Sequence, residues 1–196
     1  MKSPRVLQQQ FLSDVFRDLV ARHRPRSIAV LGCATGNGFE HIDSRITPDV
    51  VGIDINPEYL EILLSRFAGG MPGLRTVLCD IAACDLEARS IDVAHCALVF
   101  EYVDPRVVLA KTAEWLHAGG VLSVVLQLPS PGHEKVADTE FKEILSCLDP
   151  ILHLVDPEDL ARLAAAAGLR RGTSEVRRLA TGKSFCVAEF VRESRP

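Results

Sequence analysis

A chain of 196 residues, 47% hydrophobic and 24% charged, has the composition of one globular domain with one core and is too apolar to stay disordered. Its formal net charge of −4 argues against tight non-specific nucleic-acid binding, which needs clustered Lys and Arg. The longest apolar runs, such as Val121 to Leu128, fall far short of the ~18 residues of a membrane span, and no apolar leader follows the first residues, so the reading is cytoplasmic with no membrane partner.

Apolar runs of strand length alternate with segments of helical period, the pattern of a mostly parallel sheet with helices on both faces. Leu7, Phe11, Val15, Leu19 and Val20 line one face of an N-terminal helix over about 5–23. A strand at Ser27 to Leu31 runs into a glycine-rich turn, after which a helix is expected near Asn37. Strands at Val50 to Ile53 and Arg75 to Leu78 flank a helix at Pro57 to Phe67, with proline in its first turn. Ile91 to Val99 is the fourth strand. Pro105 to His117 is a helix closed by Gly119 and Gly120, and Val121 to Leu128 is a central strand. Pro129-Ser130-Pro131-Gly132 opens an insertion over about 133–150. A helix from Pro157 to Ala167 and strands Thr173 to Leu179 and Ser184 to Val191, joined by the hairpin turn 180–183, complete a single domain spanning 1–196. Six scattered cysteines without a Cys-x-x-Cys pair read as reduced, mostly buried thiols.

The turn is the first feature with chemistry in it. Glycine belongs where the backbone needs positive φ or where a ligand approaches without a Cβ in the way. A dinucleotide cofactor needs Gly-x-Gly-x-x-Gly. Read from Gly36, the last glycine is replaced by His41; read from Gly32, Ala34 and Asn37 stand at the later positions, so that fingerprint fails. The second strand ends at Asp54, 18 residues beyond Gly36, near the ~20 expected of a carboxylate that accepts from ribose hydroxyls. Helix capping by Asp54 or Asn56 is the structural alternative for this stretch.

Leu31-Gly32-Cys33-Ala34-Thr35-Gly36 resembles the first motif of class I S-adenosylmethionine-dependent methyltransferases, with Ala34 in place of a glycine and Val30 where an acidic residue is usual. Leu78-Cys79-Asp80-Ile81, the fourth strand with its trailing Glu101-Tyr102, and Leu116 to Leu122 resemble later motifs in the same order, over about 27–128. The resemblance implies a Rossmann-like three-layer α/β sandwich with a mostly parallel seven-stranded sheet ending in an antiparallel hairpin. It implies S-adenosyl-L-methionine as cofactor and S-adenosyl-L-homocysteine as product. By the same resemblance Gly32, Cys33, Ala34, Gly36, Asn37 and Gly38 form the cofactor turn, Asp54 meets the ribose, Ile55 belongs to the cofactor site, Asp80 and Ile81 meet the adenine, and Ala97 the amino group.

Methyl transfer from a sulfonium is an in-line displacement that depends mainly on alignment and exclusion of water. A base helps only for a hydroxyl-type acceptor. Glu101, Tyr102 and His133 are the candidate bases, and Tyr102, Gln127 and His133 the candidate acceptor contacts. His95, inside an apolar strand, reads as a core residue. No ligand-spaced His and carboxylate set suggests a metal, and the signatures of base-methylating enzymes are absent, so a small-molecule acceptor is expected. Monomer and homodimer are both left open. The insertion and the segment Gln8 to Phe11 are placed as lids over the acceptor. A non-catalytic or regulatory cofactor-binding protein of the same fold is the alternative, and another Rossmann enzyme, such as an oxidoreductase, a more distant one.

Overall fold

The computed structural model describes residues 4–129 and 153–193; the expected insertion, with His133 and Cys147, lies outside them. Helix α1 (Pro4–His23) leads into strand β1 (Ser27–Leu31), followed by β2 (Asp49–Asp54), α2 (Pro57–Phe67), β3 (Leu74–Leu78) and β4 (Ile91–Ala97). Then come α3 (Pro105–Trp115), β5 (Leu116–Leu128), α4 (Pro157–Ala166), β6 (Leu169–Arg178) and β7 (Ser184–Arg192). One seven-stranded sheet has the order β3-β2-β1-β4-β5-β7-β6. The first five strands pair in parallel, and β7 runs antiparallel to both neighbours. This is the expected Rossmann-like sandwich.

Two apolar layers hold it. On one face Phe100, Leu109, Trp115 and Leu160 bring α3 and α4 against the strands; on the other Phe16, Leu19, Phe39 and Leu63 bring α1 and α2. Burying side chains of this size stabilises by about 1.5–3 kcal/mol each relative to exposure. Three helices begin the same way, with an Asn or Asp cap before a proline. Asn56 Oδ1 accepts from Glu58 N at 2.9 Å, Asp104 Oδ1 from Arg106 N at 2.9 Å, and Asp156 Oδ1 from Glu158 N at 2.9 Å. Each cap satisfies an orphan backbone amide in the first turn of its helix.

Two expectations are corrected. No α-helix follows the glycine turn: a single 3-10 turn, Phe39–His41, takes its place. Gly38 has φ 94°, outside the helical region, and Glu40 Oε2 folds back to accept from Gly38 N at 3.1 Å. Only residues 42–48 then remain before β2, and Asp43 turns them through bonds from Arg45 N, Ile46 N and Thr47 N. The second correction concerns residues 116–120. Leu116 already pairs with Ile91, and the irregularity between Ile91 and Val93 absorbs the following residues, so Gly119 and Gly120 belong to the start of β5 and not to a helix end. Among the described residues no helix is long and apolar enough to cross a membrane.

Candidate cofactor and acceptor site

The C-terminal ends of β1, β2, β3 and β4 share one edge of the sheet, and every sequence-derived cofactor residue lies there. Gly32, Gly36 and Gly38 have φ of 65°, 84° and 94°. Ala34 has φ 44°, so it adopts the left-handed conformation in spite of its Cβ. Two bonds tie the turn to β2. Cys33 N donates to Ile53 O at 3.0 Å, and Ala34 N donates to Asp54 Oδ2 at 2.8 Å. Asp54 Oδ1 accepts from Asn56 N at 2.9 Å. Since Asn56 is the cap of α2, Asp54 is released from that duty. Its buried carboxylate is fixed by two backbone amides, and each oxygen keeps a second lone pair for another donor.

Around this carboxylate the apolar surface is bare. Ile55 is 69% exposed and Leu78 57%, at the ends of adjacent strands. Asp80 is exposed; its Oδ1 accepts from Ala82 N at 2.9 Å and holds the turn after β3. Ile81 is buried in the core beside Phe100, so Ile55 and Leu78, not Ile81, offer free apolar area to a ring. Asn37 is exposed, and its Nδ2 donates to Gln9 O at 3.0 Å, which anchors α1 to the turn. Ala97 ends β4, and the next residue, Leu98, has φ 57° while donating to Val125 O at 2.9 Å. Buried Cys33 has its thiol pushed up to about 12, first by burial and then by the Asp54 charge, which keeps it neutral.

The turn's other surface is covered by the protein. A Cβ on Gly32 would lie 2.5 Å from Val99 Cγ2, one on Gly36 would collide with Leu63, and one on Gly38 would press on Phe16. Two of these glycines therefore admit core side chains. Val99, on the segment after β4, fills the space over Gly32 that a Cβ would take. Val30 is buried in the core and brings no charge to this end.

Of the acceptor candidates, Glu101 and Gln127 are brought together. Gln127 N donates to Glu101 Oε1 at 2.8 Å, and Glu101 Oε2 is buried without a partner among the described residues. Burial raises the Glu101 pKa above the ordinary carboxylate range, partly offset by the Gln127 amide. Tyr102 is 43% exposed and turned outward. His95 is a core residue, as its strand position implied. Its Nδ1 lies 3.1 Å from Ser123 Oγ, Phe16 packs edge-on to its ring, and burial lowers its pKa to about 4. Sequence reasoning missed Lys183, a buried residue at the same sheet edge whose Nζ donates to Gln8 Oε1 at 3.2 Å.

The strand order, the turn after β1 and the carboxylate at the end of β2 together form the Rossmann-like arrangement of the class I methyltransferase fold. Residues 28–120 match a family profile described as a methyltransferase domain. The cofactor of this family is S-adenosyl-L-methionine. No curated protein sequence is significantly similar to the chain. Among solved structures, an S-adenosylmethionine-dependent methyltransferase from Mesorhizobium loti superposes with a TM-score of 0.72 at 17% identity, over 91% of this chain and 96% of that one. A geranyl diphosphate C-methyltransferase from Streptomyces coelicolor A3(2), in complex with Mg2+, geranyl diphosphate and S-adenosyl-L-homocysteine, gives 0.69 at 12%, over 90% and 76%. The cyclase SpnF gives 0.70 at 14%, over 93% and 82%. At such identities the likeness is one of fold, and these names show that the fold carries more than one reaction.

Proposed function

We propose that this chain binds S-adenosyl-L-methionine and transfers its methyl group to a small-molecule acceptor by in-line displacement. The observation that carries the reading is the Asp54 carboxylate, fixed by Ala34 N and Asn56 N and bordered by exposed Ile55 and Leu78. A nucleoside offers what this set accepts: two ribose hydroxyls for the carboxylate and an apolar ring face for the isoleucine and leucine. Asp80, with one oxygen uncommitted, stands at the next strand end to accept from an exocyclic amine. The cofactor supplies a sulfonium-activated methyl group.

What the chain's own residues supply is position and dryness. The turn Gly32 to Gly38 and α1, joined through Asn37, wall one side of the site; Ala97 and Leu98 wall another. Glu101, whose pKa burial raises above the ordinary carboxylate range, orders the end of β5 through Gln127 N. A small acceptor suits the net charge of −4, which disfavours binding to a phosphate backbone, and the location we propose is the cytoplasm.

A second reading, a cofactor-binding protein without transfer, is favoured by one observation: Val99 over Gly32, together with buried Val30, narrows the end of the site where the methionine half would lie. Incubation of the chain with methyl-labelled S-adenosylmethionine and fractionated metabolite extracts separates the two. Label in a small-molecule fraction supports transfer; binding of the cofactor with label in no fraction supports the second reading.

A further inference from the structure

Between helix α1 and strands β5, β6 and β7 the structure leaves a cavity of about 310 Å3. It lies beside an irregularity in the last strand pair. Arg171 pairs with Phe190 and Ser174 with Ala188, so β6 carries one residue more than β7 over this stretch. Close-packed interiors leave few voids larger than a water molecule, and this volume is at the lower end of the range of small-ligand sites, about 300–1,000 Å3.

The floor of the cavity belongs to a polar row across the sheet. His95, Ser123 and Glu189 are direct cross-strand neighbours on β4, β5 and β7, and all three are buried. Ser123 and Glu189 reach the cavity. Ser123 Oγ spends one contact on His95 Nδ1, at 3.1 Å, and keeps a lone pair whichever way that bond runs. Glu189 Oε1 accepts from Arg22 Nη1 at 2.6 Å, and its Oε2 lies 3.0 Å from His23 Nε2. Among the described residues only Nη1 of Arg22 is engaged, so the rest of its fork is uncommitted. Between β6 and α1, Arg177 donates through Nε to Glu175 Oε1 at 2.8 Å, while its Nη1 stands 4.0 Å from Asp18 Oδ2, too far for a hydrogen bond. Val15, Leu19 and Val187 add a hydrocarbon wall.

Guanidinium, carboxylate, hydroxyl and hydrocarbon thus face one small volume. A phosphate would find each guanidinium already bound to a carboxylate, and a simple cation would face two guanidiniums. A molecule that carries an ammonium and a carboxylate on one carbon answers both signs at once, and an aliphatic substituent suits the wall. We propose that this cavity is a binding site for an aliphatic α-amino acid, its carboxylate paired with Arg22, its ammonium with Asp18 and Ser123 Oγ, and its side chain against Val15, Leu19 and Val187. The site is separate from the adenosyl edge, since the polar row crosses β4 at His95, two residues before Ala97, and the proposal does not depend on the transferase reading. No covalent bond forms or breaks in it.

The probe is L-leucine, titrated calorimetrically into the full chain with and without saturating S-adenosylhomocysteine. Leucinamide, which lacks the carboxylate, and 4-methylpentanoate, which lacks the ammonium, are the comparisons. L-Leucine should bind saturably under both conditions, and each analogue should bind about tenfold more weakly or worse, having lost a charged hydrogen bond. Arg22→Met and Asp18→Asn should each weaken L-leucine by a similar factor. Thr173→Phe, which fills the cavity from an exposed position on β6, should abolish binding, with S-adenosylhomocysteine affinity unchanged in all three variants. The proposal is overturned by no binding of L-leucine, by an analogue that binds as tightly, or by undiminished binding in the variants. Binding that S-adenosylhomocysteine abolishes overturns it too, because the amino acid would then occupy the adenosyl edge. Should the variants not fold, wild type carrying 13C in its valine methyl groups serves instead, with Val187→Ile assigning the signal: L-leucine must shift it, and 4-methylpentanoate at equal concentration must not. Failure of the wild-type chain to bind S-adenosylhomocysteine sinks the transferase reading by itself, while the titrations without it still report on this cavity.

Discussion

Replacing Asp54 by alanine removes the acceptor of two backbone amides, Ala34 N at 2.8 Å and Asn56 N at 2.9 Å. A hydrogen bond to a charged group contributes about 1.5–3 kcal/mol, but both donors belong to half-buried residues that water can reach, so the two together should cost about 2–3 kcal/mol of folding stability. For a chain of this size that lowers Tm by roughly 5–10 °C. Asp54→Asn should fare no better. One carboxylate oxygen becomes an NH2 group, and whichever way the amide turns it sets a donor against Ala34 N or Asn56 N. The same change reaches the cofactor. If the free lone pairs of Asp54 accept ribose hydroxyls, alanine should weaken S-adenosylhomocysteine by about 1.5–3 kcal/mol, roughly 10- to 150-fold in Kd. Urea denaturation gives the first quantity and calorimetric titration at low temperature, with the variant still folded, the second. An asparagine variant as stable as the wild type would refute the two-amide clamp. An alanine variant that binds S-adenosylhomocysteine within twofold of the wild type would refute the ribose role.

Other consequences follow from the same geometry. Ala34 holds φ 44° at a cost of about 1–2 kcal/mol, of which glycine would recover part after its greater unfolded-state entropy; Ala34→Gly should stabilise by up to about 1 kcal/mol in urea denaturation, and a loss of stability would contradict the assigned strain. Because His95 is held neutral to about pH 4 when folded but titrates near 6.5 when unfolded, the unfolded chain takes up the extra proton, and stability on the order of 3 kcal/mol is lost as pH falls through that window. His95→Gln should flatten that limb of the stability–pH curve, and an unchanged limb would show that the imidazole is not the group responsible. Glu101 has the opposite sign: its raised pKa contributes stability that is full below the ordinary carboxylate range and is lost as pH rises through the folded value. Glu101→Gln keeps an oxygen for Gln127 N, so its stability relative to wild type should climb between pH 4 and pH 8; a constant difference would mean that Glu101 ionises normally.

Where local chemistry and tertiary packing agreed, the sequence was readable. β1 and α2 have the bounds their apolar runs and the Asn56-Pro57 start imply, and His95 is in the core because its strand is apolar on both sides. The helix expected near Asn37 failed because the inference followed the motif's usual sequel, whereas Gly38 and the Glu40 back-bond stop helical propagation in this chain. Asp54 was legible as a carboxylate at a strand end, but not its clamp to Ala34 N, which depends on how β1 and β2 lie side by side. Ile81 and Ile55 were both singled out, and only burial shows that the free surface belongs to Ile55. Lys183 was read as part of an ordinary hairpin turn. Its burial arises from contact with Gln8, 175 residues away, and no local pattern encodes that. Val99 over Gly32 is a contact of the same kind.

The claim that the edge bearing Asp54, Ile55 and the glycine turn is an adenosyl site is tested most directly by calorimetric titration of the wild-type chain with S-adenosylhomocysteine, alongside NAD. Saturable one-to-one binding of S-adenosylhomocysteine, with no heat from NAD, is the predicted result; binding of NAD alone would contradict the account.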